Sequence, residues 1–289
     1  MQRIDAHQHF WDPARGDYGW LTADLPALFK PFGPEDLAPH LAAHGISGTV
    51  LVQAAPSLAE TEYLLDIASR TPFVRGVVGW IDFEEPEQRD ALERLARHPL
   101  LKGLRPMIQD MADPDWMLRP ALDWAFKALI AHDLAFDALV LPKHLANLRI
   151  LIDRYPDLRV VIDHGAKPQI RDGAFEPWAG DIARLARETN AFCKCSGLVT
   201  EARADWTPAD LSPYLEHLLG SFGPERLIFG SDWPVLSMAG DYSGWFNTVN
   251  QAIGHWTQQQ QAAVLGGNAS RFYRLSSRES DPIGLLIVG

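Results

Sequence analysis

Eight times along its length the chain passes from a short apolar run to a segment whose apolar residues recur three or four apart, and this alternation limits the fold more than any other feature. Runs such as Gly48-Thr49-Val50-Leu51-Val52-Gln53 lack polar alternation, as strands covered on both faces do. Such strands are expected at residues 3–10, 48–53, 74–82, 101–107, 134–139, 158–164, 191–197 and 226–232. The spacing predicts helices at 34–44, 58–70, 86–97, 114–133 with a break at Pro120, 143–154, 177–188 and 208–222, followed by 245–254 and 258–273. Pro34 with Glu35 and Asp36 opens the first helix and Gly45 closes it. Strands separated by helices of this length pair in parallel, and eight such units close most simply into a single α/β (β/α)8 TIM barrel. The barrel is expected over 1–275, with a tail at 276–289.

Composition narrows what such a barrel meets. A formal net charge of −11 argues against nucleic acid, whose phosphates ask for a basic surface, and gives no reason to expect an anionic membrane. Two Cys in 289 residues, without a basic-then-apolar leader or an apolar run near 18 residues, point to a reducing, cytoplasmic setting. A small molecule is the expected partner, and a homo-oligomer is left open.

Active sites of such barrels lie at the C-terminal ends of the strands, so polar residues there are the candidates. Arg3-Ile4-Asp5-Ala6-His7-Gln8-His9-Phe10 opens the chain, and strict alternation would put Asp5, His7 and His9 on one face. Two imidazoles side by side suit a divalent metal or a pair of proton-transfer groups. The sixth strand ends in Asp163-His164-Gly165, with His164 on the face of Val160 and Ile162 by alternation. The eighth ends in Gly230-Ser231-Asp232-Trp233-Pro234, with Asp232 on the face of Ile228. Each residue alone has a structural reading, His164 as a core histidine and Asp232 as a loop cap; their convergence at one mouth favours chemistry. Arg105 and Lys167 can hold a carbonyl or hydroxyl, or form rim ion pairs. Gln53 can bond a sugar hydroxyl or sit satisfied by backbone. Trp11, Trp20 and Trp233 offer indoles to a sugar ring, core packing being the expectation for at least one. Cys193 and Cys195 share a strand face and read as packing residues. Residues 11–31, without periodicity, form a long loop at the mouth.

The corners His7-Gln8-His9, Asp163-His164-Gly165 and Phe229-Gly230-Ser231-Asp232-Trp233-Pro234, with Gly267-Asn268-Ala269-Ser270-Arg271-Phe272-Tyr273, resemble the amidohydrolase superfamily. Ile4 to Asp12, Lys102-Gly103-Leu104-Arg105-Pro106 and Cys193-Lys194-Cys195-Ser196-Gly197-Leu198 are similar to its sugar-lactone hydrolase branch, nearest the L-fuconolactonases. The resemblance implies a distorted barrel that hydrolyses a sugar-acid lactone. Two-metal members end the fourth strand in a carboxylated lysine and the fifth in a histidine. Here those strands run Lys102-Gly103-Leu104-Arg105 and Phe136-Asp137-Ala138-Leu139, which implies one metal rather than two. One divalent metal, zinc by ligand type, would rest on His7, His9 and Asp232, and relatives in this branch can work without it. Within this resemblance Asp232 is expected as general base, the only carboxylate expected at the mouth, with His164 polarising the carbonyl and water attacking directly. Arg105, Lys167, Gln53, Trp11 and Trp233 are expected to hold the lactone. The alternatives are a metal-dependent decarboxylase of a small carboxylic acid and a non-catalytic barrel that binds a sugar acid.

Overall fold

A computed structural model describes residues 2–276; the expected tail from 277 onward lies outside the described residues. Eight parallel strands stand in chain order: β1 Arg3–Gln8, β2 Ile46–Val52, β3 Val74–Gly79, β4 Leu101–Leu104, β5 Ala135–Ala138, β6 Val160–Ile162, β7 Phe192–Cys195 and β8 Leu227–Phe229. The sheet closes just past β8, where the Asp232 amide donates to the His7 carbonyl at 2.8 Å and the His9 amide to the Trp233 carbonyl at 2.8 Å. Helices α1 Pro34–His44, α2 Leu58–Arg70, α3 Arg89–Ala96, α4 Asp123–Ala131, α5 Leu145–Arg154 and α6 Trp178–Glu188 alternate with the strands. The short α7 Leu198–Glu201, then α8 Pro208–Arg226, α9 Tyr242–Ala252, α10 Gln258–Ala262 and α11 Asn268–Phe272 complete the chain.

Two apolar layers hold this together. Ile4, Ala6, Val50, Val52, Val78, Ala135, Val161 and Ile228 fill the barrel, while Leu51, Val77, Leu104, Phe136, Ile162, Cys193, Cys195 and Phe229 face the helices. The thiols thus pack, as expected. Several strands end sooner than their apolar runs, at Gly79, Leu104, Ile162 and Phe229, because the next residues turn into mouth loops. His164, Lys167 and Asp232 have left-handed backbone, with φ of 54°, 51° and 61°. Residues 114–133 are two 3-10 turns, Trp116–Leu118 and Pro120–Leu122, before α4. The helix expected over 258–273 breaks at Gly266, where a Cβ would lie 2.2 Å from the Gln2 carbonyl oxygen; this segment packs against β1 and β8.

The expected loop after β1 is a small structure of its own. Trp11 and Phe32 exchange backbone hydrogen bonds of 3.1 and 2.9 Å, closing its neck. Trp11, Tyr18, Leu21 and Leu28 form a core with Ala54 and Ala55. The Trp20 indole donates to the Ala54 carbonyl at 2.7 Å, and the Trp11 indole to the carbonyls of Leu28 and Lys30 at 3.1 Å each.

Candidate active site

The alternation expected for β1 fails between Asp5 and Gln8, where its register against β2 shifts. Ile4 and Ala6 point into the barrel. Asp5 faces the opposite way from His7 and His9, accepting from the Ser231 amide at 2.9 Å and from Tyr242 Oη at 2.9 Å. The irregularity then returns both His7 and His9 to the interior. His164 is corrected likewise: Val160 and Ile162 face the helices, and only the left-handed turn at residue 164 carries its imidazole into the mouth. Gly197 makes room for it, since a Cβ there would lie 2.4 Å from His164 Nδ1.

Asp232 Oδ1 is the point of convergence. His9 Nε2 lies 3.2 Å away, His7 Nε2 3.6 Å and His164 Nε2 3.9 Å. Burial pushes the Asp232 carboxyl up, but the rings of His164, His9 and His7, once protonated in acid, outweigh it and hold it below the usual carboxylate range. His164 is pushed down to about 4, burial outweighing the pull of Asp232 and Asp163, so its ring is neutral at pH 7; Nδ1 is 2.8 Å from Ser196 Oγ. Burial, then the Lys194 charge, drives His7 well below its ordinary value.

Beneath these groups lies a charged cluster that strand patterning did not reveal. Lys194 of β7, wholly buried, places Nζ 2.6 Å from Asp137 Oδ2, 2.9 Å from Asp163 Oδ1 and 3.1 Å from His7 Nδ1. Tyr273 Oη donates to Asp137 Oδ2 at 2.6 Å. Asp163, buried and 3.5 Å from Arg105 Nη1, is a second carboxylate at the mouth, so Asp232 does not stand alone there. The overlooked signal was available: in a strand covered on both faces, a charged residue between apolar ones faces the lumen, not water.

Arg105 is not a rim residue. Its Nε and Nη2 donate to Gln53 Oε1 at 3.2 and 2.8 Å, Nη2 also donates to the Gln53 carbonyl, and Nη1 lies 3.3 Å from His7 Nε2. Gln53 Nε2 donates to the Arg105 carbonyl at 3.2 Å. Gln53 is therefore a support for Arg105, satisfied within the protein. Trp233 also leaves the expected set: it packs edge-on against Phe10 and Phe32, between sheet and helices. A cavity of about 290 Å³ opens at the cluster, lined by His9, His164, Asp232, Arg105 and Lys167, with Gln109 and Asp110, on its polar side and by Trp11, Trp20 and Met107 among its apolar residues. Lys167 Nζ pairs with Glu201 at 3.3 Å. Two hollows of about 660 and 620 Å³ lie elsewhere and include none of these groups.

A cation fits among these residues. His7, His9 and Asp232 form one group of donors that could hold a metal, and His7, Asp163 and His164 another. Separations of 3.2 and 3.6 Å from Asp232 to His9 and His7 suit bonds of about 2.0–2.2 Å to one zinc-like ion. His9 Nδ1 is 2.8 Å from the Val52 carbonyl, which can only accept, so Nε2 is the lone-pair side of the neutral ring. Two acceptors facing each other across 3.2 Å call for a proton or a metal between them.

Residues 4–275 match the family model described as Amidohydrolase. The chain belongs to the amidohydrolase family. This amidohydrolase is similar to L-fucono-1,5-lactonase of Burkholderia ambifaria, 47% identical over 283 residues covering 96% of this chain and 98% of the relative. It is 34% identical to L-fucono-1,5-lactonase of Burkholderia multivorans, with coverage of 94% and 96%. A crystal structure of an amidohydrolase from Burkholderia multivorans with bound zinc has a TM-score of 0.89 at 33% identity, covering 96% of this chain and 100% of that one. In this amidohydrolase Lys102 Nζ reaches the Arg274 carbonyl at 3.4 Å and Asp137 is held by Lys194. Among the described residues, no helix is long and apolar enough to cross a membrane.

Proposed function

We propose that this amidohydrolase opens a sugar-acid lactone, L-fucono-1,5-lactone or a close relative, to the aldonic acid by direct attack of water. The observation that carries this is Asp232: an ionised carboxylate lining the cavity beside imidazoles and in company with Arg105 and Lys167. A lactone needs a base for water, charge to stabilise the oxyanion and a proton for the departing ring oxygen. Asp232 takes the water proton as oxygen attacks the carbonyl carbon. Arg105 and Lys167, both lining the cavity, supply positive charge to the oxyanion. As the carbonyl re-forms and the ring C–O bond breaks, protonated Asp232 returns its proton to the alkoxide. His164 borders this path as a neutral ring. A divalent metal, zinc by ligand type and by the zinc-bound neighbour, would rest on His9 and Asp232, with His7 joining only if its Nε2 lone pair is free, and would supply Lewis acidity toward the carbonyl.

The substrate is a neutral polyhydroxy lactone. Arg105 is already engaged by Gln53 and Asp163 and Lys167 by Glu201, which leaves no free guanidinium fork for a substrate carboxylate among the described residues of the cavity. Trp11 and Trp20 offer apolar faces to the ring carbons. The setting is cytoplasmic, where the buried Cys193 and Cys195 stay reduced, and neither nucleic acid nor membrane takes part.

A pH-indicator screen of aldonolactones on wild type and Asp232→Asn tests this. Neutral lactones should release acid without carbon dioxide, and Asp232→Asn should lower kcat about 100- to 10,000-fold with KM within a few-fold. A variant within tenfold of wild type would move the base to His164; carboxylate-bearing lactones outrunning neutral ones would overturn the substrate class.

A further inference from the structure

Lys194 occupies a place that the reaction above leaves unexplained. An ammonium has three hydrogens and no acceptor, and this one, wholly buried, faces three groups: Asp137 Oδ2 at 2.6 Å, Asp163 Oδ1 at 2.9 Å and His7 Nδ1 at 3.1 Å. A neutral imidazole has one lone pair. On its other side His7 presents Nε2 to Arg105 Nη1 at 3.3 Å and to Asp232 Oδ1 at 3.6 Å. Two cationic donors therefore compete for one ring acceptor, and their surroundings decide which prevails. Arg105 lines the cavity and can turn an N–H toward water, substrate or Asp163. Lys194 is enclosed by the barrel: were His7 protonated on Nδ1, that N–H would face the ammonium at 3.1 Å, nearer than Asp163 Oδ1 at 3.4 Å, and two donors would be set against each other in a desolvated site.

We infer that Lys194 is a positioning residue that fixes the His7 proton on Nε2, making His7 a donor turned toward Asp232 and withholding it from a metal. The tautomer, set from below, gives the base an N–H neighbour, while His9, whose Nδ1 faces the Val52 carbonyl, keeps the opposite arrangement. Tyr273, which follows α11, steadies the far side of the device by donating to Asp137. Any effect on turnover rests on the function proposed above; the tautomer itself does not.

The test is long-range proton–nitrogen correlation NMR on the full chain labelled in histidine nitrogen, with and without one equivalent of zinc, His7 being assigned by its loss in His7→Gln. A pyrrole-like Nε2 and a pyridine-like Nδ1, unchanged by zinc, are expected. A proton on Nδ1, or a His7 Nε2 that shifts on zinc addition, overturns the inference. The charge-balanced pair Lys194→Met with Asp137→Asn should let the proton move to Nδ1, toward Asp163 Oδ1 at 3.4 Å. It should also raise zinc affinity, read by chelator competition, and lower kcat with KM nearly constant, each by about 10- to 100-fold. A folded double variant with an unchanged tautomer and zinc affinity also overturns it. Should that variant not fold, the wild-type spectrum decides alone. The expected spectrum without lactone turnover would sink the proposed reaction and leave Lys194 in place; turnover with the other tautomer would do the reverse.

Discussion

At the scale of single residues, the site depends on side chains turned by unusual backbone. His164 reaches Asp232 because residue 164 is left-handed and because Gly197, at φ 63°, has no Cβ. Gly197→Ala should displace the ring and break its contact with Ser196, cutting kcat about 10- to 100-fold, with left-handed alanine costing a further ~1–2 kcal/mol of stability; steady-state kinetics with a melting curve checks both, and wild-type kinetics would refute it. The pH profile follows from Asp232, whose carboxyl is held low. A base acts above its own pKa, so kcat should stay level from about pH 5 to 8 and fall only in stronger acid. A limb centred near pH 4, where burial holds His164, would assign the base to that imidazole. His7, His9, His164 and Asp232 were legible as residue types at strand ends, since the strand count alone brings them to one mouth. Lys194 and Asp137 are legible only when the cover on both faces is carried through to its consequence: a lone charge inside a short strand, as in Cys193-Lys194-Cys195, then belongs to the lumen, though it looks like the wet side of an alternating pattern.

Single elements carry the site's precision, and there the periodic reading failed. β1 was read with one face for Asp5, His7 and His9, yet its register shift gives Asp5 to Tyr242 and the histidines to the lumen. A two-residue period cannot register an irregularity that pairing with β2 imposes. Gln53, bonded to Arg105, and Trp233, packed on Phe10 and Phe32, show the same limit of strand-end reading: a polar or aromatic residue there supports a neighbour as readily as it meets a ligand. The turn between β2 and α2 offers a stability test. Glu60, buried, accepts from the amides of Ala54 and Ala55 at 2.8–3.0 Å, and burial lifts its carboxyl from 4.5 to about 7. A folded-state pKa above the unfolded one favours the folded protein while the group is protonated. That stabilisation is complete below about pH 4.5 and lost as pH rises to 7, about 3 kcal/mol in all. Chemical denaturation at pH 5, 6, 7 and 8 should show wild type losing stability relative to Glu60→Gln, and parallel curves would refute it.

For the whole molecule, the barrel was legible because its cause is repetitive: each apolar run needs cover on two faces, and eight parallel units leave no open edge except between first and last. What the periodicity could not indicate is how that seam closes. At the mouth it closes by the hydrogen bonds joining residues 7 and 9 to 232 and 233, and at the opposite end by the break at Gly266 against Gln2 and Ile4. Gly266→Ala should force that segment off β1 and cost about 1–3 kcal/mol, read as a lowered melting temperature; an unchanged one would mean the backbone can shift freely. The loop between Trp11 and Phe32 bears differently on the molecule. It brings Trp11, Trp20 and Leu25 to the cavity wall, while the proton-handling groups all come from strand ends. It is tied at one neck and packs chiefly on Ala54 and Ala55 rather than on the strand ends. Under the proposed function, the indoles that would meet the sugar and the groups that would open its ring are thus carried on separate stretches of chain, so that a lineage could alter the first while conserving the second.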